Sequence, residues 1–150
     1  GAVALCYGPL ICCGTYLVQR GTVPGWVVLL SIPLGLLIAA FLWINEFPDY
    51  RSDLAASKRT LVVQLGRQPA SVAFAVIVAA AFAVLAASPL GGVPRGAWLG
   101  AMAAMPAISA ARTAISNCEI TARLIPAQAN TLRAFVLLSV GSGMGLLLFR

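Results

Sequence analysis

The chain has 150 residues, a formal net charge of +6 and a mean hydropathy of +0.95, with 61% hydrophobic and 9% charged side chains. That composition excludes an ordinary soluble domain, in which charged residues make up about 25%. Its positive charge is scattered through an oily sequence, so it is a topology signal and not a nucleic-acid signal.

Apolar stretches near 1–19, 24–46, 69–90, 96–117 and 126–149 each approach the length needed to cross a bilayer, about 20 residues. They predict an all-α fold, a multi-pass transmembrane helical bundle with about five spans. No stretch has the basic start and short apolar core of a cleaved signal peptide. The first segment carries Cys6, Cys12 and Cys13. With no C-x-x-C spacing and no histidine in the chain, they and Cys118 read as small buried apolar residues rather than metal ligands. Arg20 to Gly25 forms a turn. In the second segment Trp26 and Trp43 lie near opposite ends, as expected of interface residues.

The longest polar stretch, Asn45 to Gln68, follows. It holds three of the four acidic residues, Glu46, Asp49 and Asp53, together with Arg51, Lys58, Arg59 and Arg67. Pro48 disfavours helix at Phe47, so the spanning helix is expected to break there and a new short helix to open with Pro48 in its first turn. In that helix Asp49 and Asp53, four apart, share one face. Leu61 to Gly66 is too short to span and is expected to pack at the interface. The third segment is uncharged and ends in the turn Ser88 to Pro94. The fourth carries Gly100, Ala103, Ala104, Ala107 and Ala111, and the fifth carries Gly141 and Gly145 in a G-x-x-x-G; such spacing suits close helix–helix contact. The chain begins at Gly1 inside an apolar segment and ends at Arg150 directly after another, so it reads as part of a longer membrane protein.

Five spans divide the connections between two sides. Arg51, Lys58, Arg59, Arg67, Arg112, Arg123 and Arg133 fall on one side, and Arg20, Arg95 and Arg150 on the other, seven against three. Cytoplasmic connections carry the basic excess. The acidic cluster is therefore expected to face the cytoplasm, from a plasma or inner membrane, beside anionic lipid headgroups.

Two carboxylates on one helical face can hold Mg²⁺ while leaving coordination sites for water or phosphate oxygens. Asn45, one turn earlier, offers a neutral oxygen ligand, and Lys58 and Arg59 could grip a phosphate. Spacing alone leaves a second reading open, in which Asp49 with Arg51 and Asp53 with Lys58 or Arg59 are surface ion pairs of a solvated loop. Glu46 is a ligand, a hydrogen-bond partner or only the end of a helix. Arg112, Asn117, Glu119 and Arg123 form another polar group on the same side, with Glu119 and Arg123 spaced for a helical ion pair; it is either a wall of the site's mouth or a snorkelling arginine and a surface pair.

The run Asn45-Glu46-Phe47-Pro48-Asp49-Tyr50-Arg51-Ser52-Asp53-Leu54-Ala55-Ala56-Ser57-Lys58-Arg59-Thr60-Leu61-Val62-Val63-Gln64-Leu65-Gly66 closely resembles the second aspartate-rich motif of the UbiA superfamily of membrane prenyltransferases. The N-x-x-x-D-x-x-x-D core, the Lys-Arg-Thr and the closing Leu-Gly all match, and the Lys-Arg-Thr form looks most like the branch that prenylates 1,4-dihydroxy-2-naphthoate in menaquinone synthesis. The sequence departs from the pattern at Ser57, where the family usually has glycine; a positive φ there would strain serine. It also lacks the family's first aspartate-rich motif.

The resemblance implies that residues 1–150 are the C-terminal part of a single prenyltransferase domain of about nine spans, inactive alone. The missing N-terminal half, with the first motif, would be the remaining partner. The implied enzyme transfers a polyprenyl group from polyprenyl diphosphate to an aromatic acceptor from within membrane lipid, with no nucleic acid involved. Asp49, Asp53 and Asn45 would hold the Mg²⁺, and Asn45, Lys58 and Arg59 would meet the diphosphate. Asp49, Asp53, Lys58 and Arg59 would be catalytic, and Tyr50 could face the allylic cation or serve as an interface anchor. Alternatives are a UbiA-type enzyme with another acceptor (4-hydroxybenzoate, chlorophyllide, haem or a lipid), or a non-enzymatic transporter or scaffold fragment.

Overall fold

Helices make up almost all of the computed structural model, which describes residues 1–149 and has no strand among them. α1, Ala2–Arg20, contains a π-helical turn at Cys6–Leu10 around Pro9. Proline cannot donate to the carbonyl four residues back, and the turn widens to accommodate it. α2 runs from Gly25 to Ala55, the short α3 from Leu61 to Leu65, and α4 from Arg67 to Ala87. A 3-10 segment, Arg95–Ala103, leads directly into α5, Ala104–Asn117, and α6 spans Thr121–Leu148.

Among the described residues, four helical stretches are long and apolar enough to cross a membrane: Ala2–Arg20, Gly25–Ala55, Arg67–Gly91 and Thr121–Leu148. The fourth expected span is present as the 3-10 segment plus α5 and falls outside that set. Its alanine- and glycine-rich sequence, interrupted by Arg112, is less apolar than its neighbours. In a 3-10 helix residues three apart eclipse, which lines up Ala97, Gly100 and Ala103, all buried, on one face.

Pro48 does not break the second helix. α2 passes through both Pro33 and Pro48 to Ala55, correcting the expected break at Phe47. Membrane helices tolerate interior proline because neighbouring groups take up the freed backbone, and here the C-terminal part of α2 is held by contacts from other helices. Its core face is regular: Leu30, Leu37, Ala40, Ile44 and Phe47 are buried, joining Phe74, Val78 and Leu85 of α4 and Leu124 and Leu138 of α6. Cys6 is exposed, contrary to its expected burial, because α1 packs lightly on the rest.

The most extensive packing joins α6 to the 3-10 segment, so Arg95–Ala103 is the partner of the Gly141-x-x-x-Gly145 pattern. A Cβ on Gly145 would collide with the Gly96 carbonyl, one on Gly96 with the Gly145 carbonyl, and one on Gly100 with the Ser142 hydroxyl. The two backbones touch, and the Ser142 hydroxyl donates to the Ala97 carbonyl across the contact at 2.9 Å.

α2 ends in a Schellman motif. Lys58 N–H donates to the Asp53 carbonyl at 2.9 Å and Ser57 N–H to the Leu54 carbonyl at 3.1 Å. The motif needs a left-handed residue after the cap, and Ser57 fills that place with φ 55°, the one non-glycine positive φ among the described residues. The expected strain at the position where the family has glycine is therefore present.

Two stability changes follow. Gly145→Val should destabilise the protein by about 1–3 kcal/mol through overpacking, whereas Gly143→Ala, with open space around its position, should not. Thermal unfolding in detergent reads both, and equal midpoints would refute the backbone contact. Ser57→Gly should stabilise by up to about 1 kcal/mol, by relieving left-handed strain; a lowered midpoint would contradict this.

Candidate active site

The uninterrupted α2 carries Asn45, Asp49 and Asp53 at successive turns of one helix, so all three share a face. Asp49 is exposed and Asp53 is buried, at 6% exposure. Because the Schellman motif folds the chain back over the last turn, Lys58 returns to Asp53, and its Nζ lies 2.9 Å from Oδ1. The hydrogen bond from Lys58 to Asp53, with the attraction of that carboxylate and a smaller one from Asp49, raises the lysine pKa above its ordinary value. The ammonium group is well exposed, so the pair adds little stability. It is the Asp53–Lys58 pairing anticipated from the sequence, with its carboxylate buried at the helix end and not in a solvated loop. Arg59 is exposed and reaches neither carboxylate; its carbonyl accepts from Gln64 Nε2 at 2.7 Å.

Glu46, three residues before Asp49, is engaged by the next element. Its Oε2 accepts from the Val62 N–H at 3.4 Å, beside Thr60, whose hydroxyl accepts from the Val63 N–H. Both oxygens satisfy free N–H groups at the start of α3. Val62 is fully buried, so α3 is pinned against α2, and the segment bearing Lys58 and Arg59 is tethered at both ends.

Two residues unmarked by the sequence reading organise this end of the bundle. Arg67, at 7% exposure, donates from Nη1 to the carbonyls of Cys118 (3.2 Å) and Glu119 (2.8 Å), and from Nη2 to the Phe47 carbonyl (3.3 Å) and the Thr121 hydroxyl (3.4 Å). Its guanidinium lies 5.0 Å from the centroid of the Tyr50 ring, a cation–π contact. Tyr50 thus has a protein cation against its face. Gln128 on α6 donates from Nε2 to Asn45 Oδ1 at 2.8 Å, joining α6 to the motif face of α2. The only sequence signals were an arginine heading an apolar span and a lone amide in the second turn of the last one.

The Glu119–Arg123 ion pair expected from the sequence does not form. α5 ends at Asn117 and α6 begins at Thr121, so Glu119 lies in the turn between them and not four residues back on one helix. Its carbonyl instead serves Arg67. Arg112 and Arg123 are exposed.

Among the described residues no three Asp, Glu, Cys or His side chains converge as a metal cage. With Glu46 engaged by the Val62 N–H, Asp49 and Asp53 are the carboxylates of the motif face left to a cation. That donor set suits Mg²⁺, which is commonly held by one or two carboxylates and completed by water and substrate phosphates.

Replacing Arg67 tests the clamp. Arg67→Met should destabilise by about 2–4 kcal/mol, because it strands buried carbonyls at the end of α5. Arg67→Lys should recover only part of that, since one ammonium cannot span four acceptors on α2, α6 and the turn between α5 and α6. Detergent unfolding midpoints in which Lys and Met behave like wild type would dismiss the clamp.

Residues 2–130 match the UbiA prenyltransferase family. Over 65 residues the chain is 38% identical to a 1,4-dihydroxy-2-naphthoate octaprenyltransferase of Haemophilus influenzae; the match covers 43% of this chain and 21% of that relative. No solved structure matches. The matched region contains the whole aspartate-rich face of α2 and its partners on α4 and α6, and the chain belongs to the UbiA prenyltransferase family.

Proposed function

We propose that the full-length protein transfers a polyprenyl group from polyprenyl diphosphate to 1,4-dihydroxy-2-naphthoate, in quinone synthesis, at the cytoplasmic face of a plasma or inner membrane. The observation that carries this reading is the alignment of Asn45, Asp49 and Asp53 on one face of an unbroken membrane helix, with Lys58 folded back beside them, in a chain of this family. The naphthoate acceptor is supported by the name of the H. influenzae relative. The seven-to-three distribution of basic residues supports the cytoplasmic orientation.

Asp49 and Asp53 would hold Mg²⁺, which when bound supplies positive charge against the leaving diphosphate. Lys58, on its exposed and flexible stem, can turn from Asp53 to a phosphate oxygen without leaving the site. Arg59, with no partner for its guanidinium among the described residues, is available to grip the same group as a fork. Stabilising the departing diphosphate lowers the barrier to breaking the allylic C–O bond; the electron-rich acceptor ring then attacks the freed carbon, and the attacked ring carbon restores aromaticity by losing its proton or its carboxylate as CO₂. Tyr50, with its face against Arg67, contributes by holding the end of α2 in place. An ion-transport reading is disfavoured by position: transport sites lie near the bilayer midplane in broken helices, whereas these acids end a continuous one.

Turnover of polyprenyl diphosphate with the naphthoate by full-length protein should require Mg²⁺. Asp49→Asn and Asp53→Asn should each lower kcat/KM at least about a hundredfold, the scale of losing one electrostatic contact to a leaving group. Unchanged turnover in both variants would sink the assignment, and product formed only with 4-hydroxybenzoate would overturn the acceptor.

A further inference from the structure

We infer that Gln128 is a positioning residue of this site, holding the Asn45 amide so that its NH₂ group is offered to a diphosphate oxygen. The inference rests on the proposed diphosphate chemistry and adds to it a residue from a second helix.

Asn45 and Gln128 are 83 residues apart in sequence and meet between α2 and α6, both half-buried, with Gln128 Nε2 donating to Asn45 Oδ1 at 2.8 Å. A primary amide has one acceptor oxygen and one NH₂ that only donates. With Gln128 engaging the oxygen, Asn45 keeps its Nδ2 hydrogens without a protein partner among the described residues. Asn45 stands one turn before Asp49 on the same helical face. A donor there suits an anion, while Gln128 already takes one of the two lone pairs of the oxygen that a metal would use. Asn45 is thereby drawn toward the diphosphate rather than the Mg²⁺, and the two aspartates remain the cation's carboxylates. Gln128 itself stays behind Asn45: the bond is formed between helices, and its role is to fix an amide that would otherwise rotate about its last side-chain bond.

A double-mutant cycle in full-length protein tests this. Gln128→Met keeps the length and unbranched shape of the side chain but cannot donate, and Gln128→Leu serves as a second variant; each is paired with Asn45→Leu. The readouts are calorimetric binding of inorganic diphosphate in Mg²⁺, the KM for polyprenyl diphosphate, and the thermal midpoint. Gln128→Met should weaken diphosphate binding about tenfold, the scale of one charge-assisted hydrogen bond, with the acceptor KM and the midpoint little changed. The double variant should be no worse than Asn45→Leu alone, because Gln128 acts through Asn45. Additive losses would overturn the inference, as would a loss of Mg²⁺ affinity with diphosphate binding intact. Full diphosphate binding by Gln128→Met, when Asp49→Asn abolishes it, would defeat this inference alone. Full binding by Asp49→Asn and Asp53→Asn would defeat the proposed site itself.

Discussion

The architecture at the polar end of this bundle depends on one buried cation. Arg67 heads α4 and is enclosed by the carbonyls of Cys118, which caps α5, and Glu119 in the turn beyond it, by the start of α6 and by the last turns of α2. Removing a guanidinium from water is costly, and a carboxylate is the usual compensation. Here the compensation comes from peptide dipoles at the negative end of a helix and from the π face of Tyr50. Arginine suits this role better than lysine because its planar fork reaches several acceptors at once. The choice has a chemical consequence in a chain with only four acids. None of them is committed to neutralising the clamp, so the aspartates of α2 remain open to a ligand.

Away from that end, two kinds of packing hold the bundle. α2 and α4 interlock through large side chains, with Phe47, Phe74 and Leu85 almost fully buried. α6 and the 3-10 segment instead meet through backbone, with glycines on both sides. In a bilayer, where apolar surface gains little from leaving lipid, such close approach supplies dispersion contact that bulky side chains would prevent. The site sits where α2, from the first system, meets α6, from the second, at the Asn45–Gln128 bond. Its geometry therefore reports on how both systems are seated.

Much of this was legible in the sequence because the signals were local. Hydropathy marked the spans, and four-residue spacing put Asp49 and Asp53 on one face. A missing glycine at position 57 announced the left-handed serine. The errors came where tertiary contacts override local preference. Pro48 reads as a helix breaker in isolation, but packing carries α2 through it. Glu119 and Arg123 have ion-pair spacing only if one helix contains both, and the turn at 118–120 separates them. Arg67 and Gln128 were invisible as organisers because their partners lie 20 to 54 and 83 residues away, respectively, and are in Arg67's case mostly carbonyls that any residue could supply.

The continuity of α2 also makes it a ruler. Its 31 residues extend about 46 Å at 1.5 Å each, against a hydrocarbon core of about 30 Å. Measured from Trp26 at one boundary, the far boundary falls near Asn45, so Asp49 stands about 6 Å and Asp53 about 12 Å beyond it for an upright helix. That is the layer in which an amphiphile anchored by a long hydrocarbon tail must carry its charged head. A helix broken at Phe47 could have laid the aspartates flat at any azimuth; a continuous one sets their height, and the reach of a ligand's polar end, by counting residues.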